Sequence, residues 1–472
     1  MSTPPAVDVA RSLARDVRAA GGRALIVGGW VRDRLRGQPS KDIDIEVFGV
    51  AQDALPALLQ QHGRVEAVGQ SFPVYKLITP DGDIDVALPR RESKKGRGHK
   101  GFDVQGDPTM TIEQAARRRD FTINAIAWDP LTDVYEDPFD GRGDIERRVL
   151  RVVDPATFAD DSLRVLRAVQ FAARFDITLD EQTAAICRVV PLDDLPAERV
   201  WGEFEKLLLL APRPSIGLAL ALDLGVIDKL LPELRTLVGC PQEPEWHPEG
   251  DVWVHTLLVV DRAREAIDGL DKPRQLVIML GALCHDLGKP VTTAVIDGRI
   301  RSLDHEDAGV APATALLDRL NVFTVGGFDV RAQVLGIVAH HLKPGMLHKA
   351  PKVGDGAFRR LAQKVDMELL AIAARADCRG RTGTFDCSAM DWFIERARAL
   401  GVQHAAPPSL VLGRHLLELG VKPGPELGVM LKEIYERQLD GDVQTVEEGL
   451  ALAREIIDSR GARRSRPSDE GQ

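Results

Sequence analysis

The feature that most constrains this chain is a strand-length apolar run, residues 24–27, that enters Gly28-Gly29-Trp30-Val31-Arg32-Asp33. A second run follows soon after, Lys41-Asp42-Ile43-Asp44-Ile45-Glu46. Paired glycines at a strand end let the backbone approach a phosphate closely enough for N–H groups to cradle its oxygens. Arg32, one turn into the following helix, adds a fixed cationic fork. Strand alternation puts Asp42 and Asp44 on one face, where two carboxylates suit Mg²⁺. In this order, on neighbouring strands, the two elements point to metal-assisted nucleotidyl transfer from a triphosphate. Asp85, in Asp83-Ile84-Asp85-Val86, offers a third carboxylate as base or ligand on an adjoining strand.

Residues 8–20 predict a first helix, with Val9, Leu13 and Val17 four apart. Strands are expected at 24–27, 43–48, 74–78 and 84–88, with a helix at 51–61 between the second and third. From about residue 160 the pattern turns helical and stays so, interrupted by the turn-rich 239–250. The fold class is therefore α+β. A small α/β head, 1–152, precedes a helical neck and body, 153–243. A third unit spans 244–385, C-terminal helices span 386–460, and 461–472 read as a disordered tail.

The chain has 61 basic and 71 acidic residues, a net charge of −10. That excludes a generally polycationic nucleic-acid coat and leaves any RNA to local basic patches. No stretch reaches the apolar length of a membrane span, and the start lacks the apolar core of a secretory signal. The five cysteines form no CxxC pair and are too sparse for a disulfide framework. They point to a reducing cytoplasm.

With those residues in place the chain resembles the class II tRNA nucleotidyltransferase and poly(A) polymerase family. The likeness rests on GGWVRD (28–33), DID (42–44), RRDFTINA (118–125), DPFDGRGDIERRVLR (137–151), DDSLRVLR (160–167) and PAERVWGEFEKLL (196–208). It implies a polymerase-β-like head in which Asp42 and Asp44 hold catalytic Mg²⁺ and Gly28, Gly29 and Arg32 hold the triphosphate. It also implies that Arg118, Arg119, Asp120 and Asn124 lie near sugar and triphosphate. The family's base-choosing Glu-Asp-x-x-Arg reads Asp160-Asp161-x-x-Arg164 here, followed by Arg167. Asp161 and Arg164 are expected three apart on one helical face. A carboxylate accepts from an exocyclic amino group and a guanidinium donates to a ring nitrogen, a pattern shared by cytosine and adenine.

Arg90, Arg91, Lys94, Lys95, Arg97 and Lys100 fall in a glycine-rich stretch that reads as a flexible, phosphate-touching loop. The resemblance implies that such a loop serves the final A addition, which argues against an enzyme adding only C.

Seven of the eleven histidines lie between 247 and 348. His255, His285-Asp286 and Asp377 form an ordered H…HD…D set that resembles the HD phosphohydrolase superfamily. Its mixed N/O donors suit Mn²⁺, Ni²⁺, Co²⁺, Fe²⁺ or Mg²⁺. His305 and His341 are candidates for phosphate contact or a second ion. The resemblance implies phosphatase or 2′,3′-cyclic phosphodiesterase chemistry on RNA ends.

The expected activity is template-free addition of CCA to tRNA 3′ ends from CTP and ATP, with no membrane partner. The alternatives are a poly(A) polymerase or A-adding enzyme, a protein-modifying nucleotidyltransferase fused to an HD unit, and a catalytically silent RNA-binding protein.

Overall fold

The computed structural model describes residues 5–68, 74–94 and 102–464, which form two compact units, 1–232 and 233–472. The turn-rich 239–250 lies inside the second unit, leading into the helix Val252–Ala266.

In the first unit, α1 (Pro5–Ala19) buries Val7, Ala10, Leu13, Ala14 and Val17, the three-and-four spacing of one helical face. That face covers a seven-stranded mixed sheet. Its strands, in chain order, are β1 (Arg23–Val27), β2 (Ile43–Phe48), β3 (Arg64–Val68), β4 (Val74–Thr79), β5 (Gly82–Ala87), β8 (Ala127–Asp129) and β9 (Val134–Glu136). Across the sheet the order is β3-β4-β5-β2-β1-β8-β9. Strands β2 and β5 run parallel, and the other neighbours run antiparallel. Trp30 and Trp128 stack in the core with ring centroids 5.3 Å apart. The helix expected at 51–61 is a single turn and a half, α3 (Leu55–Leu59), preceded by turns.

The basic stretch departs from a plain loop. Strands β6 (Arg90–Lys94) and β7 (Phe102–Gly106) pair as an antiparallel hairpin. Lys95, Arg97 and Lys100 lie outside the described residues, as does the side chain of Lys94.

The mainly helical continuation, which includes a short strand, Thr178–Leu179, paired in parallel with Val149–Leu150, centres on α6 (Leu163–Phe175), ten of whose residues are buried. It packs against α8 (Ala197–Leu210) and α9 (Pro214–Asp223).

The second unit is built around the helix Lys272–Cys284, buried continuously from Leu276 to Cys284. Helices Val252–Ala266, Val330–His340 and Met367–Gly380 surround it. A smaller core joins Val411, Leu416, Met430, Ile434, Ala453 and Ile456 in the C-terminal helices.

Two expectations need correction here. The last helix runs Val446–Arg464, so 461–464 continue it rather than begin a disordered tail. Ala462, Arg463 and Arg464 are good helix formers, and propagating an existing helix across Gly461 costs far less than nucleating one. Residues from 465 lie outside the described residues. Cys378 and Cys387 are joined in a disulfide with Cα atoms 6.0 Å apart, while Cys187, Cys240 and Cys284 are free and buried. Nine-residue spacing matches no short motif, so only the chain's return after the helix Met367–Gly380 reveals the pair. Among the described residues no helix is long and apolar enough to cross a membrane.

Candidate functional site

In the first unit the site is assembled by strand register. Val27, the last residue of β1, lies opposite Asp44 of β2, so the Gly28-Gly29 turn opens beside that carboxylate. On the other side of β2, Asp44 pairs with Asp85 of β5. Gly28 has φ +73°, and a Cβ there would sit 2.9 Å from Arg119 Nη1. The left-handed backbone therefore favours glycine, and any side chain there would also push the Arg119 guanidinium aside.

Asp44 and Asp85 are solvent-accessible, whereas Ile43 and Ile45 on the alternate face are buried. Crowding by protein atoms, with the charges of Asp85 and Asp42, pushes the Asp44 carboxyl up to about 6 against the pull of Arg119. Excess negative charge in a carboxylate donor set is what a divalent cation relieves, so Asp42, Asp44 and Asp85 fit Mg²⁺. Among the described residues, the tight clusters of potential metal-ligand atoms fall in the second unit rather than here.

The strand alternation breaks at Glu46, which is buried. Its Oε1 accepts from Arg118 Nη2 at 2.5 Å and from Arg119 Nη2 at 3.2 Å. The strand that carries Asp44 thus also anchors both arginines.

Arg32 is more enclosed than a phosphate clamp needs to be. It is 5% exposed and donates to Asp33 and to Asn124 Oδ1, each at 2.8 Å. It also lies over Phe175, 4.3 Å from the ring centroid. Asp120 accepts from Phe121 N, Asn124 Nδ2 and, at 2.6 Å, Arg167 Nε. Burial alone would raise the Asp120 carboxyl; the Arg167 guanidinium outweighs it and holds it below the ordinary range.

Asp161 is not on a helical face. It is extended (φ −126°, ψ 101°) after the short 3₁₀ turn Phe158–Asp160, and α6 begins only at Leu163. Its carboxylate folds back to accept from Leu163 N at 3.2 Å, the local side-chain-to-backbone bond that competes with helix at such positions. Arg164 donates from Nη1 to Thr157 O and from Nη2 to Arg118 O, fixing its plane.

These residues converge. A cavity of about 350 Å³ is lined by Gly28, Gly29, Arg32, Asp44, Arg119, Asp120, Asn124, Asp161, Leu163, Arg164, Arg167 and Arg199. A second cavity, of about 400 Å³, gathers Arg90, Arg91, Arg117, Arg118, Asp160 and Arg164. Arg164 lines both, and Asp160 faces only the second.

The second unit brings together all four of the ligands expected there. His255 Nε2 lies 3.0 Å from Asp377 Oδ1 and 4.0 Å from Asp286 Oδ2, and His285 Nε2 lies 3.1 Å from Asp286 Oδ2. Such separations suit ligand atoms about 2 Å from one ion. Both Asp286 oxygens and His285 Nε2 are buried without an aligned hydrogen-bond partner, even though Lys289 Nζ is 2.7 Å from Asp286 Oδ2. Unpaired buried groups of this kind fit a divalent ion.

The Nδ1 atoms are all engaged on the far side. His255 Nδ1 meets Glu249 Oε1 at 2.7 Å, and His285 Nδ1 meets Ala282 O at 2.9 Å. His305 Nδ1 meets Ser302 O at 2.8 Å, and His341 Nδ1 meets Val338 O at 3.0 Å. Donation from Nδ1 leaves each Nε2 lone pair facing inward, as a metal ligand requires. His305 Nε2 and His341 Nε2 lie 3.4 and 3.9 Å from Asp286 Oδ1, forming a second donor cluster that shares Asp286. Burial and the neighbouring His285 push His341 down to about 3, so it is a neutral imidazole. Gly288 permits this closeness: a Cβ there would sit 2.0 Å from His305 O. The cavity over the cluster measures about 360 Å³ and also exposes His247, Lys289, Lys349 and Arg381.

Sequence reasoning assigned no role to Glu46, Glu249, Lys289 or Arg199. Lys289 had a readable signal, one helical turn after the His-Asp pair. The partners of Glu46 and Arg199 lie far away in sequence, whereas Glu249 meets His255 only six residues on.

A model of the poly A polymerase head domain matches residues 24–151, and one of the probable RNA and SrmB-binding site of polymerase A matches 176–237. A model of the HD domain matches 252–379. Fold and sites together define a nucleotidyltransferase head continued by an HD unit. The multifunctional CCA protein of Xanthomonas campestris pv. campestris (strain B100) is 37% identical over 420 residues, covering 86% of this chain and 95% of that one. That of Stenotrophomonas maltophilia (strain K279a) is 39% identical over 375 residues, covering 76% and 87%. The chain belongs to the multifunctional CCA protein family. It shares its fold with the Bacillus stearothermophilus CCA-adding enzyme in complex with CTP (TM-score 0.66, 20% identity, 98% and 100% covered). The Thermotoga maritima CCA-adding enzyme complexed with tRNA_CCA is also similar (TM-score 0.59, 19% identity, 97% and 96% covered).

Proposed function

We propose that the chain adds C, C and A to tRNA 3′ ends from CTP and ATP without a nucleic-acid template. The observation that carries this is the register bringing the Gly28 turn, Asp44 and Asp85 side by side, with Asp161 and Arg164 lining the same cavity as Gly28 and Asp44. Asp42 and Asp44, with Asp85 beside them, would hold Mg²⁺, which orients the triphosphate and lowers the cost of deprotonating the acceptor hydroxyl. Gly28, Gly29, Arg32 and Arg119 hold the phosphates, while Asp120 and Asn124 keep Arg32 and Arg167 in place. Asp161 accepts the exocyclic amino group of cytosine or adenine, and Arg164 donates to the adjacent ring nitrogen. Uracil and guanine offer a carbonyl where the amino group is needed. The arginines around the second cavity, together with Lys94, Lys95, Arg97 and Lys100, meet RNA phosphates.

In the HD unit His255, His285, Asp286 and Asp377 would hold a divalent ion, which polarises a phosphate and activates water; the family's Mn²⁺, Ni²⁺, Co²⁺, Fe²⁺ or Mg²⁺ all suit the donors. Lys289 and Arg381 face the same cavity and neutralise a phosphoryl group. This reading makes the unit a phosphatase or 2′,3′-cyclic phosphodiesterase that restores hydroxyl ends. The units divide as a head, 1–152, a neck, 153–243, an HD unit, 244–385, and C-terminal helices, in a cytoplasmic protein.

The test is to sequence products made on tRNA transcripts lacking C, CA or CCA with all four nucleotides supplied. Completion to CCA and no further is expected, abolished by Asp42→Ala with Asp44→Ala. Addition of A alone, runs of A, or activity surviving the double substitution would overturn the reading.

A further inference from the structure

One arginine in the proposed nucleotide cavity comes from outside the glycine turn, the RRDFTINA segment and the DDSLRVLR segment. Arg199, in the first turn of α8, reaches Asp161 with its whole fork. Nη1 donates to Oδ1 at 3.1 Å and Nη2 to Oδ2 at 3.0 Å. The two side chains are 25% and 27% exposed, and both line the cavity that holds Gly28 and Asp44.

Counting acceptor sites shows what this pairing does. A carboxylate offers about four lone-pair directions. Arg199 takes one on each oxygen, and Leu163 N takes a second on Oδ1. One direction is left, on Oδ2. A carboxylate alone would rotate about its last bond and present either oxygen to a ligand. Here the backbone bond on one side and the planar fork on the other hold its plane.

We infer that Arg199 is a specificity-determining positioning residue for base choice, fixing Asp161 as a single, oriented acceptor in the cavity. The inference rests on the reading of Asp161 as the base-selecting carboxylate. Through this arrangement a base with an N–H at that point gains a hydrogen bond. A base with a carbonyl there places lone pair against lone pair. Without the fork, Asp161 is free to turn away from the misfit. Uracil and guanine are the bases this admits. Lysine is a poor replacement, because its ammonium is a point charge that engages one oxygen at a time.

The experiment uses the full chain, tRNA ending at its discriminator base, and each nucleotide separately. Arg199→Lys and Arg199→Met are compared with the unsubstituted chain for kcat and KM. The CTP-over-UTP ratio of kcat/KM is expected to fall at least about 10-fold in Arg199→Met, since a recognition site loses discrimination when its polar group is not held. Arg199→Lys should recover part of that ratio. The kcat for CTP should stay within about threefold, because the carboxylates of β2 and β5 are untouched. A ratio unchanged within twofold in both variants overturns the inference, as does an equal loss for all four nucleotides. If Arg199→Met does not fold, Arg199→Lys gives the same reading alone. Failure of the unsubstituted chain to add C would instead defeat the underlying function, so the two failures are separable.

Discussion

Removing the Arg167 guanidinium tests the electrostatic joint between the RRDFTINA segment and α6. Asp120 is 8% exposed and has three donors, of which Arg167 Nε at 2.6 Å is the only cation. Arg167→Met keeps an unbranched side chain against Phe171 but leaves a buried carboxylate without its counter-charge. Breaking a buried pair costs roughly 3–5 kcal/mol, and because the Arg167 side chain is 33% exposed the low end applies. Losing the cation over Phe171, 4.9 Å from the ring centroid, adds about 0.5 kcal/mol. The expected loss is therefore about 3.5 kcal/mol at pH 7.

Two further readouts make the prediction specific. Asp120→Asn in the Arg167→Met background should restore at least about half the loss, since it removes the stranded charge while keeping the shape. The pH dependence follows from the direction of the shift. The Asp120 carboxyl is held below its ordinary 3.8 in the fold, so the pair stabilises fully above that value and less as pH falls through the folded pKa. In Arg167→Met burial prevails and the direction reverses: the charge destabilises above that range, and protonation relieves it. The gap between the two proteins should thus narrow as pH is lowered from 7 toward 4. The assay is urea unfolding followed by hydrogen exchange in α6 peptides, which reports the first unit alone. A loss under about 1 kcal/mol, or a gap independent of pH, would refute the reasoning.

Other outcomes follow from the same geometry. Gly28→Ala forces a side chain onto a φ of +73° and toward Arg119, so the KM for CTP should rise at least about 10-fold, with roughly 1–3 kcal/mol of strain in thermal unfolding. Because Asp44 is pushed up to about 6, a metal competes there with a proton. The Mg²⁺ concentration giving half-maximal CMP incorporation should be flat above that pH and rise below it, up to about tenfold per unit. Glu249→Gln weakens the support behind His255 Nδ1 and should cost roughly 10–100-fold in metal affinity of the HD cluster. Equilibrium dialysis with Mn²⁺ on the Asp42→Ala, Asp44→Ala background reads it.

How much of this was legible in the sequence varied with how local the information was. Strand β2 runs 43–48 as read, because alternating isoleucines against an apolar core leave little freedom of register. Strand β3, Arg64–Val68, escaped because it is an edge strand whose residues are mostly exposed, so its composition lacks the apolar alternation that marks a strand. The hairpin β6–β7 escaped for a similar reason: its residues are largely polar. The metal-ligand candidates meet because His255 and Asp377 sit on packed helices and His285-Asp286 on the turn that closes the buried helix Lys272–Cys284. Asp161 read as helical because three-residue spacing suggests a shared face, but its side chain bonds Leu163 N and ends the extended segment instead. Arg199 was quoted within a motif yet given no role, since its partner lies 38 residues earlier. His305 and His341, 36 residues apart, were candidates from the sequence, but only the fold shows their Nε2 atoms 3.2 Å from one another.

Asp286 belongs to both donor clusters of the HD unit, one oxygen facing His255 and His285 and the other facing His305 and His341. An allele at Asp286 therefore cannot separate the two, because any substitution there removes a donor from both clusters. Alleles at His255 and His341 can, because each touches one cluster and spares the other's nitrogen donors. If two ions act together, both alleles are null and fail to complement in mixed assays; if one acts alone, only the His255 allele is. The same carboxylate that knits the site together thus dictates which mutants are informative about it.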